Sequence, residues 1–397
     1  MQQYDVIIVG AGPAGSTTAR ECAARGRSVL LLEKEAFPRD KPCGGGVNVR
    51  AAALLPFDLS PVVERTVSTV SFSVRQAAHF TRTSARPLTY MTQRARLDHY
   101  LVERAVEAGA VLRERSPLEA VEQAASGMLV RAGGVTYQAR VLVAADGANG
   151  PTLRAAGLPE RFAMGVALEG NIGALTDGHD AMRLDLGDVP HGYGWLFPKG
   201  DHVNIGVAGF GPVVPMLRER LFQLTRFYGY DPQRFWGLRG FRLPMRTADT
   251  PLVGGNVIAV GDAAGLLDPV TGEGIYAAIF SGRAAARHIV TFLSGRAADL
   301  SGYEEEIRRE LLPDLDIARR WRDVAHLSPA LFARLIERSP RAWGLVCRIL
   351  RGEETYVEFT RRRRSIARIV NALLWMTRAG ARRERRPVRR QSSWSAG

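Results

Sequence analysis

The stretch Asp5-Val6-Ile7-Ile8-Val9-Gly10-Ala11-Gly12-Pro13-Ala14-Gly15 decides the fold: an apolar run stops at a G-x-G-x-x-G turn, and a helical pattern starts directly behind it. The run has the look of a strand buried on both faces. Ala14 to Arg25 reads as a helix and Ser28 to Glu33 as a second buried strand, which completes a βαβ unit. In such a unit Gly10 permits the tight turn, Gly12 lets backbone approach a pyrophosphate, and Gly15 lets helix and strand pack closely. The helix N-terminus then faces the phosphate charge. Glu33, closing the second strand, is placed to accept hydrogen bonds from ribose hydroxyls. A bare glycine-rich turn would explain the glycines alone; strand, helix and acidic residue in register point to a dinucleotide. Gly10, Gly12, Pro13, Ala14, Gly15, Glu33 and Lys34 are the candidates for this part of the site.

Working outward, Arg140 to Ala145 and Asn256 to Val260 read as buried strands, Arg94 to Glu107 and Gly274 to Leu293 as helices, and residues 37–50 as a Pro/Gly-rich loop. Between Phe162 and Pro244 strands, aromatics and glycines dominate, as in an antiparallel sheet. From Tyr303 onward the chain reads as helices. The expectation is an α/β chain (α+β overall). A Rossmann-type nucleotide-binding domain comes from residues 1–75, 90–160 and 245–300, with an inserted antiparallel β-sheet substrate domain from 76–89 and 161–244. A helical C-terminal region with a basic tail spans 301–397.

A chain of 397 residues is too long for one simple core, and 46% hydrophobic with 24% charged residues is ordinary for a globular protein. No apolar run approaches the ~18–20 residues that cross a bilayer, and the N-terminus leads straight into a strand without a basic, cleavable leader. Cys22, Cys43 and Cys347 are odd in number and far apart, which argues against a disulfide framework and for a reduced, cytoplasmic protein. The net charge of +14 is unevenly spread: Arg341 to Gly397 holds 15 arginines against 4 glutamates. Within that end, Ser365 to Thr377 places Ile366, Ile369, Val370, Leu373 and Leu374 on one helical face, flanked by Arg361 to Arg364 and by Arg382-Arg383. Two readings stand. One is a helix lying in an anionic membrane surface on the inner face of the cell membrane, held by apolar burial and roughly 1 kcal/mol per nearby Arg. The other is a helix docked on the protein's own core with a solvated tail. Nucleic acid is not an expected partner, because the charge is attached to no recognition module.

Two further motifs narrow the dinucleotide. Ala145-Asp146-Gly147-Ala148 and Gly261-Asp262-Ala263-Ala264-Gly265 each close a buried strand, and Arg94-Ala95-Arg96-Leu97-Asp98 forms an R-x-x-L-D element. Together with the first motif they resemble the para-hydroxybenzoate hydroxylase superfamily of flavoproteins. That resemblance implies FAD, with Asp262 at its ribityl or pyrophosphate part and Arg94 in contact with it. Pro38-Arg39-Asp40-Lys41-Pro42-Cys43-Gly44-Gly45-Gly46 is similar to the P-x-x-K-x-C-G-G-G signature of geranylgeranyl reductases. Asp268 to Ile275 is similar to that family's segment at the flavin ring, and Tyr193-Gly194-Trp195-Leu196-Phe197-Pro198 to its Y-x-W-x-F-P element. The resemblance implies that Cys43, Gly44 and Gly45 are catalytic, that Cys43, Gly44, Gly46, Gly261, Gly274 and Ile275 hold FAD, and that Tyr193, Trp195 and Phe197 line the substrate cavity. The residues are compatible: adjacent glycines let backbone lie against a flat ring, and aromatics suit an apolar chain. Cys43 by itself reads either as a small buried hydrophobe or as a functional thiol in a loop unsuited to packing.

Geranylgeranyl reductases saturate isolated trisubstituted double bonds of isoprenoid chains. Such an alkene has no adjacent carbonyl, so a proton must reach one carbon while reduced flavin delivers hydride from N5 to the more substituted one. Cys43, or a water it orders, is a candidate proton donor. The electron donor, NADPH or reduced ferredoxin, is open, since no second G-x-G-x-x-G unit follows. The substrate is expected to be an isoprenoid lipid or polyprenyl diphosphate. Geranylgeranyl diphosphate, chlorophyll-type side chains, archaeal-type lipid cores and quinone tails all present the same alkene. One rival is an FAD-dependent monooxygenase or halogenase, since halogenases carry a W-x-W-x-I-P element in a position like Tyr193 to Pro198. Against it stand the K-P-C-G-G-G loop and the scarcity of lysines: only Lys34, Lys41 and Lys199 are available as a halogen carrier. A rival of another class is a non-catalytic, membrane-surface lipid binder that retains FAD; the intact glycine set argues against it.

Overall fold

The computed structural model describes residues 1–77, 79–125, 127–174, 180–246 and 250–362. The expected apolar helix at Ser365 to Thr377 and the basic tail lie outside the described residues.

The first strand, β1 (Gln2–Val9), the helix α1 (Pro13–Ala23) and the strand β2 (Val29–Leu32) form the expected βαβ unit. They sit in a sheet ordered Val253–Gly254, Val257–Ala259, Val135–Ala144, β1, β2, Val111–Arg113. Every pairing along this path is parallel except the first. Side chains of a strand alternate between faces, and the apolar run of β1 uses both. Val6 and Ile8 pack among α1 and the Arg94–Glu107 and Ile275–Leu293 helices. Ile7 and Val9 pack under an antiparallel hairpin of strands Leu118–Ala124 and Gly127–Ala132. That is why the run is continuously apolar rather than alternating.

The second sheet has seven strands, ordered Trp236–Arg246, Phe162–Gly173, His202–Phe210, Tyr193–Pro198, Met182–Leu186, Thr69–Val74 and His79–Thr83. It begins earlier than the boundary expected at residue 76. Thr69–Val74 pairs in parallel with Met182–Leu186, the one parallel pair in an otherwise antiparallel sheet. Val70 and Phe72 of that strand are buried against Ile336, Trp343 and Cys347, from the helices Pro329–Arg338 and Pro340–Arg351. A second departure is the helix Val214–Phe227 inside the region where strands, aromatics and glycines dominate; Leu217, Leu221 and Leu224 give it an apolar stripe that packs on the sheet. A third is the ordering of the 37–50 loop: Gly46–Asn48 is a strand paired with Thr89–Met91 in a small three-stranded sheet. Among the described residues no helix is long and apolar enough to cross a membrane.

The Ile275–Leu293 helix crosses α1 at close quarters, which fixes the two nucleotide motifs relative to each other. Thr18 Oγ1 donates to the Gly282 carbonyl at 3.3 Å, and a Cβ on Gly282 would come within 2.7 Å of the Ala14 carbonyl oxygen. Gly282→Ala should therefore lower the melting temperature. The clash is with backbone and costs about 1–3 kcal/mol, more than the ~1 kcal/mol that alanine gains in a helix interior. A melting curve equal to or above that of the wild-type chain would contradict this packing.

Candidate flavin and substrate site

The phosphate loop is built as its glycines require. Gly10 has φ of +99°, and a Cβ there would lie 2.4 Å from the Ala145 carbonyl oxygen. A Cβ on Gly15 would collide with the Gly10 carbonyl oxygen at 1.9 Å, so helix and loop are in contact at this point. Gly12 is the N-cap and Pro13 opens α1, leaving the first-turn N–H groups to face a ligand. Ala14 is buried and packs against Gly261, so the two nucleotide motifs touch. Glu33, buried at the end of β2, accepts the Ala11 N–H at 3.1 Å. Lys34 stands apart: its side chain is 71% exposed, with Glu35 as its charged neighbour at 3.9 Å.

Two arginines converge on this loop. A Cβ on Gly12 would have Arg94 and Arg39 as its nearest neighbours, at 3.9 and 4.0 Å. Both guanidiniums are held from behind by Asp98. Arg94 Nε and Nη2 donate to its two oxygens at 2.7 Å each, and Arg39 Nη1 donates at 2.8 Å. Arg39 Nη2 also pairs with Glu33 at 3.0 Å. Burial alone would raise the Asp98 carboxyl; Arg94 and then Arg39 outweigh it and hold Asp98 below the ordinary carboxylate range. Burial likewise works against the Arg94 charge, and Asp98 more than offsets it. A carboxylate able to accept from ribose hydroxyls, open helix N–H groups and the guanidiniums of Arg94 and Arg39 are the acceptor and donors a dinucleotide diphosphate needs, and the loop leaves room for backbone-close binding. These residues fit FAD.

Asp262 continues the site on the far side. Lys41 Nζ lies 3.5 Å from its carboxylate and over the Phe241 ring at 4.9 Å, and Gly261 N–H donates to Ser281 Oγ at 3.0 Å. A Cβ on Gly274 would sit 3.0 Å from Asp262 Oδ1, which ties the second motif to the loop before Ile275. Ile275 opens its helix and is buried with Val47, Leu97 and Leu101 beneath the Cys43 loop.

The three family-like segments come together here. Gly44 lies against the aromatic strand: a Cβ would meet Phe197 at 2.6 Å and Trp195 Nε1 at 3.4 Å. Gly45 has φ of +68°, and a Cβ would lie 2.1 Å from the Thr92 carbonyl oxygen. Gly46 starts the strand paired to Met91. Tyr193, Trp195 and Phe197 share one face of their strand, with ring centroids 5.9 and 6.0 Å apart in succession. Tyr193 Oη donates to the Thr271 carbonyl in the loop before Gly274, and Trp195 Nε1 donates to Asn204 at 2.8 Å. Cys43 is half-buried and accepts the Gly45 N–H on Sγ at 3.4 Å, with the Arg94 charge nearby. Cys22 and Cys347 are buried elsewhere.

Several site residues escape the sequence reading. Asp98 and Arg39 lie inside motifs recognised for other members, Arg94 and Cys43, so a signal for them exists. Lys199 follows the aromatic motif directly. Glu169 leaves no signal, since one acidic residue in a strand reads as solvent-facing.

Fold and site together define an FAD-dependent oxidoreductase, and residues 3–228 match the FAD binding domain family. Over 312 residues the chain is 32% identical to the geranylgeranyl diphosphate reductase of Rhodobacter capsulatus, covering 75% of this chain and 78% of that one. It is 31% identical over 342 residues to the menaquinone reductase of Mycobacterium tuberculosis, covering 80% and 78%. The chain belongs to the geranylgeranyl reductase family. Its structure is similar to that of a geranylgeranyl bacteriochlorophyll reductase-like protein of Thermoplasma acidophilum, with a TM-score of 0.77, 24% identity, and coverage of 92% of this chain and 99% of that one. A flavin-dependent brominase shares the fold, with a TM-score of 0.72, 23% identity, and coverage of 88% and 94%.

Asp98→Asn tests the clamp. It leaves the buried Arg94 guanidinium without its carboxylate, a loss of about 3–5 kcal/mol, so the FAD-free protein should melt well below wild type. Added FAD should restore more of the loss than it adds to wild type, because its phosphates bring compensating charge. An unchanged melt of the FAD-free variant would show that Asp98 is not the anchor.

Proposed function

We propose that this enzyme saturates isolated trisubstituted C=C bonds of an isoprenoid lipid or polyprenyl diphosphate, with FAD as its redox cofactor. One observation carries the reading: the Cys43–Gly46 loop and the Tyr193, Trp195, Phe197 face pack directly on each other at Gly44. A thiol is thereby set beside an apolar aromatic wall, next to the place where the glycine loops can admit a flat ring. Similarity to a geranylgeranyl diphosphate reductase and to a menaquinone reductase supports this substrate class.

Bound FAD, once reduced, supplies a hydride equivalent to the more substituted alkene carbon. The aromatic face of Tyr193, Trp195 and Phe197 orients the isoprenoid chain and keeps water from it. Cys43 gives its Sγ proton to the less substituted carbon and is left as a thiolate. Arg94, held charged by Asp98, stabilises that thiolate through its nearby positive charge. The balance is one alkene gaining two hydrogens while FAD is oxidised by two electrons. NADPH and reduced ferredoxin both remain suitable external donors.

The halogenase reading gains no support from the lysines. Lys199 Nζ donates to the carbonyls of Gly44 and Thr92, which occupies the one lysine buried at the site. Lys34 is at the surface and Lys41 is paired to Asp262.

The test is anaerobic. Purified enzyme loaded with FAD, reduced with dithionite and given geranylgeranyl diphosphate or a menaquinone should yield products heavier by two mass units per saturated bond. The flavin absorbance should return without oxygen. Reoxidation only on admitting air, with both substrates unchanged, would overturn the reading in favour of oxygen chemistry.

A further inference from the structure

The helix Pro329–Arg338 has two faces of different character. Phe332 and Ile336 turn inward and pack with Val70, Phe72 and Trp343 against the second sheet. Leu331 and Leu335 turn outward and are 67% and 55% exposed; Leu327, which ends the preceding helix Leu312–Leu327, is 47% exposed. These leucines recur at every fourth position and form one apolar strip. Other exposed large apolar side chains, such as Val106, Val135 and Trp236, stand on separate elements. Single exposed apolar residues are ordinary, whereas a row of them marks a surface that meets something.

Arginines share the strip. Successive helical residues turn about 100°, so Leu331, Arg334, Leu335 and Arg338 fall within about 100° of arc. Arg341 follows in the first turn of the next helix. Arg334, Arg338 and Arg341 are exposed, and among the described residues none of the three has an ion-pair partner. Nearby Arg322 and Arg348, by contrast, are paired to Asp323 and Glu354. Glu337, the acid of the Pro329–Arg338 helix, lies off the strip, about 60° beyond Arg334.

Leucines framed by unpaired guanidiniums fit an anionic bilayer surface. The leucines enter the acyl boundary, while the arginine stems lie along it and keep their charged ends at the level of the phosphates. A second copy of the chain fits less well. A two-fold contact through this strip would set Arg334 and Arg338 of one copy against those of the other, and facing like charges oppose binding. A helix of 10 residues also offers far less than the roughly 800 Å² per partner of a stable interface. The strip adjoins the end of the sheet at which the aromatic strand starts. A Cβ on Gly187 would lie 2.9 Å from Pro329, and His326 Nε2 lies 2.9 Å from the carbonyl oxygen of Gly192, the residue before Tyr193.

We propose that Leu327, Leu331 and Leu335, with Arg334, Arg338 and Arg341, are the surface on which this protein lies against an anionic lipid membrane. It is separate from the basic residues beyond Arg362, and it does not depend on the proposed reduction.

The test uses the full FAD-loaded chain. Vesicles of phosphatidylcholine alone, or of three parts phosphatidylcholine to one part phosphatidylglycerol, are mixed with protein and sedimented. Wild type should bind the anionic vesicles and lose most of that binding on the neutral ones. Arg334→Gln combined with Arg338→Gln should weaken binding about 25-fold, fivefold for each charge. Leu331→Ser combined with Leu335→Ser should weaken it about tenfold or more. All four positions are exposed, so both variants should keep the wild-type melting temperature and flavin spectrum, which separates lost binding from lost fold. The residues beyond Arg362 are unchanged in both. Variants that sediment as wild type does would therefore assign the binding to the tail and overturn the proposal. Wild type that stays in solution with anionic vesicles would overturn it as well. So would a lipid-free dimer, seen by light scattering, that the leucine substitutions make monomeric, since the strip would then belong to a second copy.

Discussion

The carboxylate of Asp98 is the constraint on which the rest of the site depends. It is buried, it meets two guanidiniums, and those come from different parts of the chain: Arg94 from its own helix turn, and Arg39 from the loop that continues into Cys43. Removing Asp98 leaves the buried Arg94 charge uncompensated in a low-dielectric interior, where that is costly. Arg39 also reaches Glu33 at the end of β2. A single ionic chain thus runs from Glu33, past the glycine loop, to the segment bearing the thiol. The charge that would receive the cofactor's phosphates and the position of the candidate acid are set by the same contacts.

The second sheet contributes a wall and two buried ionisable side chains. Its aromatic strand lies against Gly44 and runs on into Lys199 beside Gly45, and Glu169 is buried on the Phe162–Gly173 strand of the same sheet. Only residues without side chains allow this approach at Gly44 and Gly45, where any Cβ would collide with Phe197 or with the Thr92 carbonyl. The loop is therefore shaped from both sides: ion pairs of the nucleotide domain hold its start, and the sheet presses on its glycines. Tyr193 closes the arrangement by bonding the Thr271 carbonyl, so the loop preceding the Ile275–Leu293 helix belongs to the same assembly.

Much of this is legible in the residues alone, for physical reasons. The βαβ unit is readable because period, turn glycines and helix start agree continuously from Asp5 to Glu33. The convergence of the Cys43, Tyr193 and Asp268 segments is readable only through resemblance, since nothing local brings positions 43, 193 and 268 together. The strand Thr69–Val74 shows its alternation plainly, yet its place in the second sheet depends on a parallel pairing more than 100 residues away. The helix Val214–Phe227 has a clear leucine stripe that the surrounding glycines and aromatics obscure. Glu169 is the instructive case: its burial comes from the loop laid over it, and no window of sequence around it contains that loop.

The Cys43 thiol is where these contacts lead, and the most direct measurement follows one turnover at that sulfur. FAD-loaded wild type, Cys43→Ser and Cys43→Ala would be reduced under argon and mixed with the isoprenoid that wild type accepts, and flavin reoxidation followed in a stopped-flow cell. The mechanism predicts normal FAD binding and reduction in all three, with reoxidation slowed by about 10²–10⁴ in Cys43→Ala, the range in which a positioned acid contributes. Cys43→Ser should also be slow, because a hydroxyl is a far weaker acid than a thiol. Wild-type reoxidation in both variants would contradict it, and would move the proton donor away from Cys43.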